Sequence, residues 1–209
     1  MGTKNFSYDD FLKYQSVSRE TYSRLQEYVR LLEKWQKTIN LVAQKSLEEV
    51  WTRHIIDSTQ LLEQISPQDK VADLGSGAGL PGLVLAIMGV KDMTLIESDT
   101  RKSVFLKEAA RAMGVNVQII NSRVEETDIS KFTVITARGF APLNELIEKL
   151  KKTLKSDSSI LLLKGKSYDS EMRLAKQEWI FDEEVFPSVT DKDGVIISLK
   201  NIRKRGSHD

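Results

Sequence analysis

The chain has 209 residues, 40% hydrophobic and 29% charged, which is enough for one full-sized core and a small appendage but not for two large domains. Its 31 Lys and Arg nearly cancel 30 Asp and Glu, leaving +1, so net charge alone gives no nucleic-acid footprint. With no cysteine and two histidines, disulfides, zinc clusters and a thiol nucleophile are excluded and no metal is expected; without a long apolar run or an apolar segment in Met1 to Asp10, no membrane span or secretory signal is expected, and a cytoplasmic monomer is.

Tyr22, Leu25, Tyr28, Val29, Leu32, Trp35 and Ile39 recur at three- and four-residue steps, which predicts an amphipathic helix. A second helix is predicted from Ser46 to Ile65, opened by a capping-box pattern at Ser46 and Glu49 and closed by Pro67. Residues 1–66 are therefore expected to form an N-terminal helical cap, residues 67–205 the main α/β domain and residues 206–209 a tail.

Val71 to Gly82 (V-A-D-L-G-S-G-A-G-L-P-G) joins an apolar strand to a glycine-rich turn and then to a helix whose first amides are expected to face a ligand. Two cofactor classes fit. Gly77, Gly79 and Gly82 satisfy the dinucleotide pattern G-x-G-x-x-G, whereas Asp73, Gly75, Gly77 and Gly79 satisfy D-x-G-x-G-x-G, the first motif of Rossmann-like methyltransferases. Asp73 favours the second class, because a carboxylate there repels a pyrophosphate and suits the ammonium and sulfonium end of S-adenosylmethionine. Leu80 and Pro81 suit the helix entry, with Leu80 either packing inward or touching an adenine. Glu97 ends the next strand about 20 residues past the glycines, where a carboxylate accepts ribose hydroxyls in either class.

Strands are predicted at Lys70 to Leu74, Met93 to Glu97, Val117 to Ile120, Phe132 to Thr136 and Ser159 to Leu163, alternating with helices near Pro81 to Met88, Arg101 to Met113 and Pro142 to Leu154. Trp179 to Phe186 and Val195 to Leu199 read as a closing antiparallel pair, so the expected fold is a doubly wound, seven-stranded, mostly parallel α/β sheet. Ligands of such sheets lie beyond the carboxyl ends of the strands. There Glu125 and the Val124 amide are candidates for an adenine. Arg123, Arg138, Phe140 and Lys164 are candidates for the substrate side, with Arg138 alternatively on the cofactor carboxylate. His54 and Asp57, three residues apart on one helical face, are either an acid–base pair or a contact between cap and domain. Basic runs at residues 101–111, 149–155, 164–166 and 200–205 mark either solvated faces or a surface for nucleic acid.

N-L-V (Asn40 to Val42), R-H-I-I-D-S (Arg53 to Ser58), D-L-G-S-G-A-G-L-P-G (Asp73 to Gly82), R-V-E-E (Arg123 to Glu126), A-R-G-F-A (Ala137 to Ala141) and L-K-G (Leu163 to Gly165) together resemble the glucose-inhibited division B family of bacterial 16S ribosomal RNA guanine-N7 methyltransferases. Thr59 and Gly139 stand where that family often has Leu and Ala. The resemblance implies a Rossmann-like class I methyltransferase fold. It implies S-adenosylmethionine held by the positions of Gly75, Leu80, Val124, Glu125 and Arg138, with S-adenosylhomocysteine as product. It further implies one guanine in the decoding-region 530 loop of the small ribosomal subunit as target.

Residue chemistry points the same way. Methylation at pyrimidine C5 needs a cysteine nucleophile, which the chain lacks, and methylation of an exocyclic amine usually goes with an N/D-P-P-Y/F turn where this chain has Ala137-Arg138-Gly139-Phe140. Guanine N7 presents an in-plane lone pair and needs no general base, only orientation and electrostatics. Methylation of another RNA or a small molecule remains an alternative, and an NAD-linked oxidoreductase or a cofactor-free RNA-binding module a more distant one.

Overall fold

The computed structural model describes residues 6–206; residues 207–209 of the expected tail lie outside the described residues. The chain opens with α1 (Tyr8–Leu12), whose Ser7 hydroxyl accepts the Asp10 amide while the Asp10 carboxylate takes the Ser7 amide, a reciprocal capping box. Then α2 (Arg19–Gln36) buries Leu25, Tyr28, Val29 and Leu32 along one stripe, as the periodicity predicts.

The helix expected over Ser46 to Ile65 forms as an unbroken helical segment over residues 44–64, but not as a regular α-helix. It runs through a 3₁₀ turn (Gln44–Glu49), a π-turn (Trp51–Ile56), the short α3 (Asp57–Thr59) and a further 3₁₀ turn (Gln60–Gln64). The cause is local: Ser58 donates its hydroxyl to the His54 carbonyl at 2.6 Å and Thr59 donates its own to Ile56 at 2.9 Å, competing with the regular helical ladder. The box expected at Ser46 and Glu49 is absent too, because the Ser46 hydroxyl donates to the Ala43 carbonyl and meets His54 Nε2.

The remainder runs β1 (Lys70–Leu74), α4 (Gly82–Ile87), β2 (Asp92–Ile96), α5 (Thr100–Met113), β3 (Gln118–Ile120), β4 (Val134–Arg138), α6 (Leu143–Leu150), β5 (Ser159–Lys164), α7 (Tyr168–Glu178), β6 (Trp179–Pro187) and β7 (Val195–Lys204). Seven strands form one sheet in the order β3-β2-β1-β4-β5-β7-β6, parallel except for the β5–β7 and β6–β7 pairs, which is the expected architecture. The third and fourth strands start later than predicted, so Arg138 ends β4 instead of following it, and β7 runs past Leu199 to Lys204. Three elements went unforeseen: α1, a 3₁₀ turn at Val124–Glu126, and α7, although Tyr168, Met172, Ala175 and Trp179 stand at helical spacing and pack on one cluster.

Strand side chains alternate between two cores. Val71, Met93, Leu95, Val134, Leu161 and Ile196 face a cluster with Leu25, Leu32, Ile55, Leu83 and Phe105, whereas Ala72, Ile96, Ile135, Ile160 and Ile197 face one with Leu146, Ile147 and Trp179. The N-terminal helices thus pack beside α4 and α5 on one face of the sheet, and α6 and α7 cover the other.

Candidate cofactor turn and substrate cleft

In this order the strand sequence reverses at β1 and β4, and the crevice beyond their carboxyl ends is where a doubly wound sheet takes its ligand. Asp73 lies there, fully buried. Thr136 on the neighbouring strand donates to its Oδ1 at 2.9 Å and the Gly82 amide donates to Oδ2 at 3.2 Å. The first amide of α4 is therefore consumed within the protein. Asp73 shapes the turn from beneath and does not stand open to the crevice. Burial pushes its carboxyl up to about 6, against the hydrogen bonds from Ser76, Thr136 and Gly82 and the charge of Arg138.

The turn itself is held by main-chain bonds, with Ser76 N–H on the Ile96 carbonyl and the Gly79 and Leu80 amides on the Ser76 carbonyl. Gly75 requires its lack of a side chain twice over: its φ is +61°, and a Cβ there would collide with the ring of Phe140. Glu97, 6% exposed, accepts the Gly77 amide at 2.8 Å on one oxygen and the Asp99 amide at 2.7 Å on the other, which pins the second strand end to the glycine turn. Leu80 is buried in the core beneath the turn. On α2, Tyr28 donates its hydroxyl to the Ala78 carbonyl at 2.6 Å, so the N-terminal region buttresses the same turn.

Val124 is buried in the 3₁₀ turn after β3, and the Glu125 carboxylate is paired with Lys149, whose hydrogen bond and charge hold its carboxyl below the usual range. Arg123 beside it is exposed.

A cleft of about 1240 Å³ opens next to Phe140. Of the four expected substrate-side residues it gathers Arg138, Phe140 and Lys164, together with Arg53, His54, Asp57 and Lys192, and leaves Arg123 outside. Its walls are braced. Lys164 donates to the Ala141 carbonyl at 2.9 Å and to Glu171 Oε2 at 2.6 Å, with both side chains mostly buried. Burial raises Glu171, but Lys164, the Ser167 hydroxyl and the Leu143 amide outweigh it, so its carboxyl stays low. Lys164, a substrate-side candidate from the sequence, is thus tied to the wall by both of these bonds. Arg138 donates to the Arg53 carbonyl at 3.0 Å and lies 3.5 Å from Asp57.

His54 and Asp57 do not pair. Asp57 instead accepts Thr190 Oγ1 at 2.8 Å and Gln60 Nε2 at 3.1 Å, and Gln60 Oε1 takes the Val189 amide at 2.7 Å, so one carboxylate joins α3, β4 and the β6–β7 loop. His54 Nε2 meets Ser46 Oγ at 2.7 Å; that hydroxyl spends its proton on Ala43, so the imidazole donates through Nε2 and its buried Nδ1 lacks a partner among the described residues. Burial, reinforced by Arg138 and Arg53, lowers the ring to about 3, leaving it neutral at pH 7. Nothing in the sequence marks Glu171, Gln60, Ser188 or Thr190: each is an ordinary polar residue, and the bonds of Ser188 and Thr190 to Gln60 and Asp57 span about 130 positions. Arg53 was visible only inside the R-H-I-I-D-S motif.

The profile of the family described as rRNA small subunit methyltransferase G matches residues 21–197. The chain belongs to this family. Proteins named ribosomal RNA small subunit methyltransferase G are 41% identical in Rickettsia akari, over 90% of this chain and 98% of that one, and 43% identical in Rhodospirillum rubrum, over 90% and 94%. Among solved structures, a mutant of MtNAS in complex with S-adenosylmethionine superposes with a TM-score of 0.59 at 13% identity, covering 86% of this chain and 76% of that one. A TehB-like SAM-dependent methyltransferase from Corynebacterium glutamicum gives 0.54 at 13%, covering 86% and 99%. These carry the fold alone, and it is the class I methyltransferase fold. The family makes the chain an S-adenosylmethionine-dependent methyltransferase of small-subunit ribosomal RNA, which removes the oxidoreductase reading. Among the described residues no helix is long and apolar enough to cross a membrane.

Proposed function

We propose that the chain methylates N7 of one guanine in the 530 loop of 16S ribosomal RNA, working as a cytoplasmic monomer. The residues present fit the cofactor: a turn open at Gly77, in which Gly75 admits the Phe140 ring and Gly79 the core side chains of Leu83 and Leu106, backed by the buried carboxylates of Asp73 and Glu97, is a frame for a cationic nucleoside. Asp73 supplies its negative field from beneath, Leu80 closes the floor, and Glu97 lies where a ribose is expected. Val124 and Glu125 take the adenine end, and Arg138 the carboxylate end. When bound, S-adenosylmethionine supplies an electrophilic methyl group and leaves as S-adenosylhomocysteine.

The chain's own part is orientation and charge. Phe140, half-buried between the glycine turn and the cleft, offers a ring face on which an extruded guanine stacks, and Arg53 and Lys192 line the same cleft for phosphates. The N7 lone pair forms the new C–N bond as the S–C bond breaks, and no proton moves. The observation that carries this reading is the state of His54, the cleft's histidine among the described residues: burial and the charges of Arg138 and Arg53 hold its ring at about 3, too weak a base to take a proton in the reaction. The test incubates the protein with labelled S-adenosylmethionine and small subunits from cells that lack it, then cleaves the RNA at N7-methylguanine. One new cleavage site in the 530 loop is expected. Label on an exocyclic amine, a C5 carbon or a ribose defeats the reading.

A further inference from the structure

The end of the sheet opposite the cleft carries a second concavity, of about 390 Å³, among whose lining residues are Lys151, Lys152, Arg203 and Lys204 around Ile147 and Leu154. Topology puts it there. Helix α6 starts beyond the carboxyl end of β4 and runs back, so Lys151 and Lys152 lie where β5 begins. Strand β7 is antiparallel to β5 with Leu199 opposite Ile160, so Arg203 and Lys204 continue past the amino end of β5. The length of β5, roughly 20 Å for a strand of this size, separates the groove from Lys164 in the cleft.

Its floor is apolar: Trp179 is buried with its indole N–H on Asn144 Oδ1 at 2.8 Å, and the Lys204 ammonium lies 5.8 Å from the ring centroid. Its rim is cationic. Residues 148–157 and 200–206, with the stretch 178–182 that packs beside them, hold eight Lys and Arg against four acids, in a chain whose total is only +1. One of those acids, Glu148, is bonded to Lys151 and held low chiefly by it, with Lys204 and Lys152 adding to the effect. Lys149 turns away to Glu125, and the groove-lining Lys151, Lys152, Arg203 and Lys204 line no part of the cleft. A positive excess gathered at one end of a near-neutral protein is the footprint of a polyanion, because each phosphate neutralised there releases a counterion.

We propose that this groove is a second docking surface for the phosphodiester backbone of the small-subunit RNA, engaging an element of that RNA other than the loop that presents the target base. The inference rests on the rRNA reading above. A folded RNA with two elements about 20 Å apart satisfies both surfaces at once, whereas a short hairpin reaches only the cleft.

The test compares wild type with a double variant, Lys152→Glu with Arg203→Glu, on protein-free 16S rRNA and on a hairpin carrying only the target loop. On full-length rRNA the variant's KM rises by about tenfold near physiological salt, and the slope of log KM against log salt falls by about two, with kcat and cofactor affinity held. On the hairpin KM is the same for both proteins. The charge-keeping pair Lys152→Arg with Arg203→Lys behaves as wild type, and reversal of the exposed Lys34 and Lys37 at the end of α2 has no comparable effect. An unchanged KM on full-length rRNA, an equal loss from the α2 reversal, or a loss seen only with protein-containing subunits overturns the proposal, the last by making a ribosomal protein the partner. If wild type methylates no rRNA, the functional reading fails instead, and retention of structured RNA on filters, weakened only by the groove reversal, still scores the groove.

Discussion

Burial pushes Asp73 up to about 6 from an ordinary value of 3.8, so between those limits the folded chain keeps a proton that the unfolded chain has lost, and its contribution to stability falls as pH rises through that window. The ionised form is the one that attracts a sulfonium. Affinity for S-adenosylmethionine is therefore expected to drop several-fold between pH 7 and pH 5, more than affinity for the uncharged-sulfur product, and calorimetry on Asp73→Asn should give a flatter profile. His54 has the opposite sign. With its folded value near 3 against 6.5, it contributes stability that is lost as pH falls through that range, and His54→Gln is expected to shrink the difference between urea midpoints at pH 7 and pH 5. Gly75→Ala places a methyl against Phe140 at a left-handed φ; cofactor binding should disappear while the far-UV spectrum persists. The sequence pointed to Asp73, Gly75 and Glu97 by their spacing from a strand. It did not reveal that Asp73 faces Thr136 or that Glu97 holds the Gly77 amide, because those bonds cross between strands and spacing along one strand does not report them.

Among the elements, strands and the regular helices were legible wherever one face is apolar: β1 matches its predicted limits, and α2 and α5 lie within the predicted stretches to a few residues. Residues 44–64 are helical as their periodicity predicts, but local bonds such as those of the Ser58 and Thr59 hydroxyls accompany a departure from regular α geometry that periodicity does not report, and the stripe of α7 is short, with only Met172 and Ala175 buried within the helix. The wall made by Lys164 and Glu171 joins β5 to α7. Lys164→Ala leaves a mostly buried carboxylate unpaired, and a loss of roughly 3 kcal/mol is expected in chemical denaturation, the low end for breaking a buried pair because both groups retain some solvent contact. Gln60→Ala removes the acceptor of the Val189 amide, and hydrogen exchange at that amide should accelerate by at least about tenfold while exchange in β1 stays unchanged.

For the molecule as a whole, the N-terminal helices are part of the main core: Leu25, Leu32 and Ile55 share a cluster with Leu83, Leu95 and Phe105. The division at residue 66 expected from sequence follows the change from helices to strands, but packing runs across it. Leu25→Ala should therefore cost about 2–5 kcal/mol of global stability and not merely loosen an appendage. Tyr28→Phe removes only the bond to Ala78, and is expected to raise the KM for S-adenosylmethionine with a small loss of stability, about 1 kcal/mol.

The Asp57 carboxylate draws together Arg138 and Thr190, residues 81 and 133 positions further along the chain. During synthesis, Asp57 and Arg138 leave the exit tunnel long before Thr190 does, so the hub stays incomplete until the β6–β7 hairpin emerges. A nascent polypeptide has the glycine turn well before it has a finished cleft. Closure of the cleft wall is thus ordered after formation of the glycine turn as the polypeptide emerges.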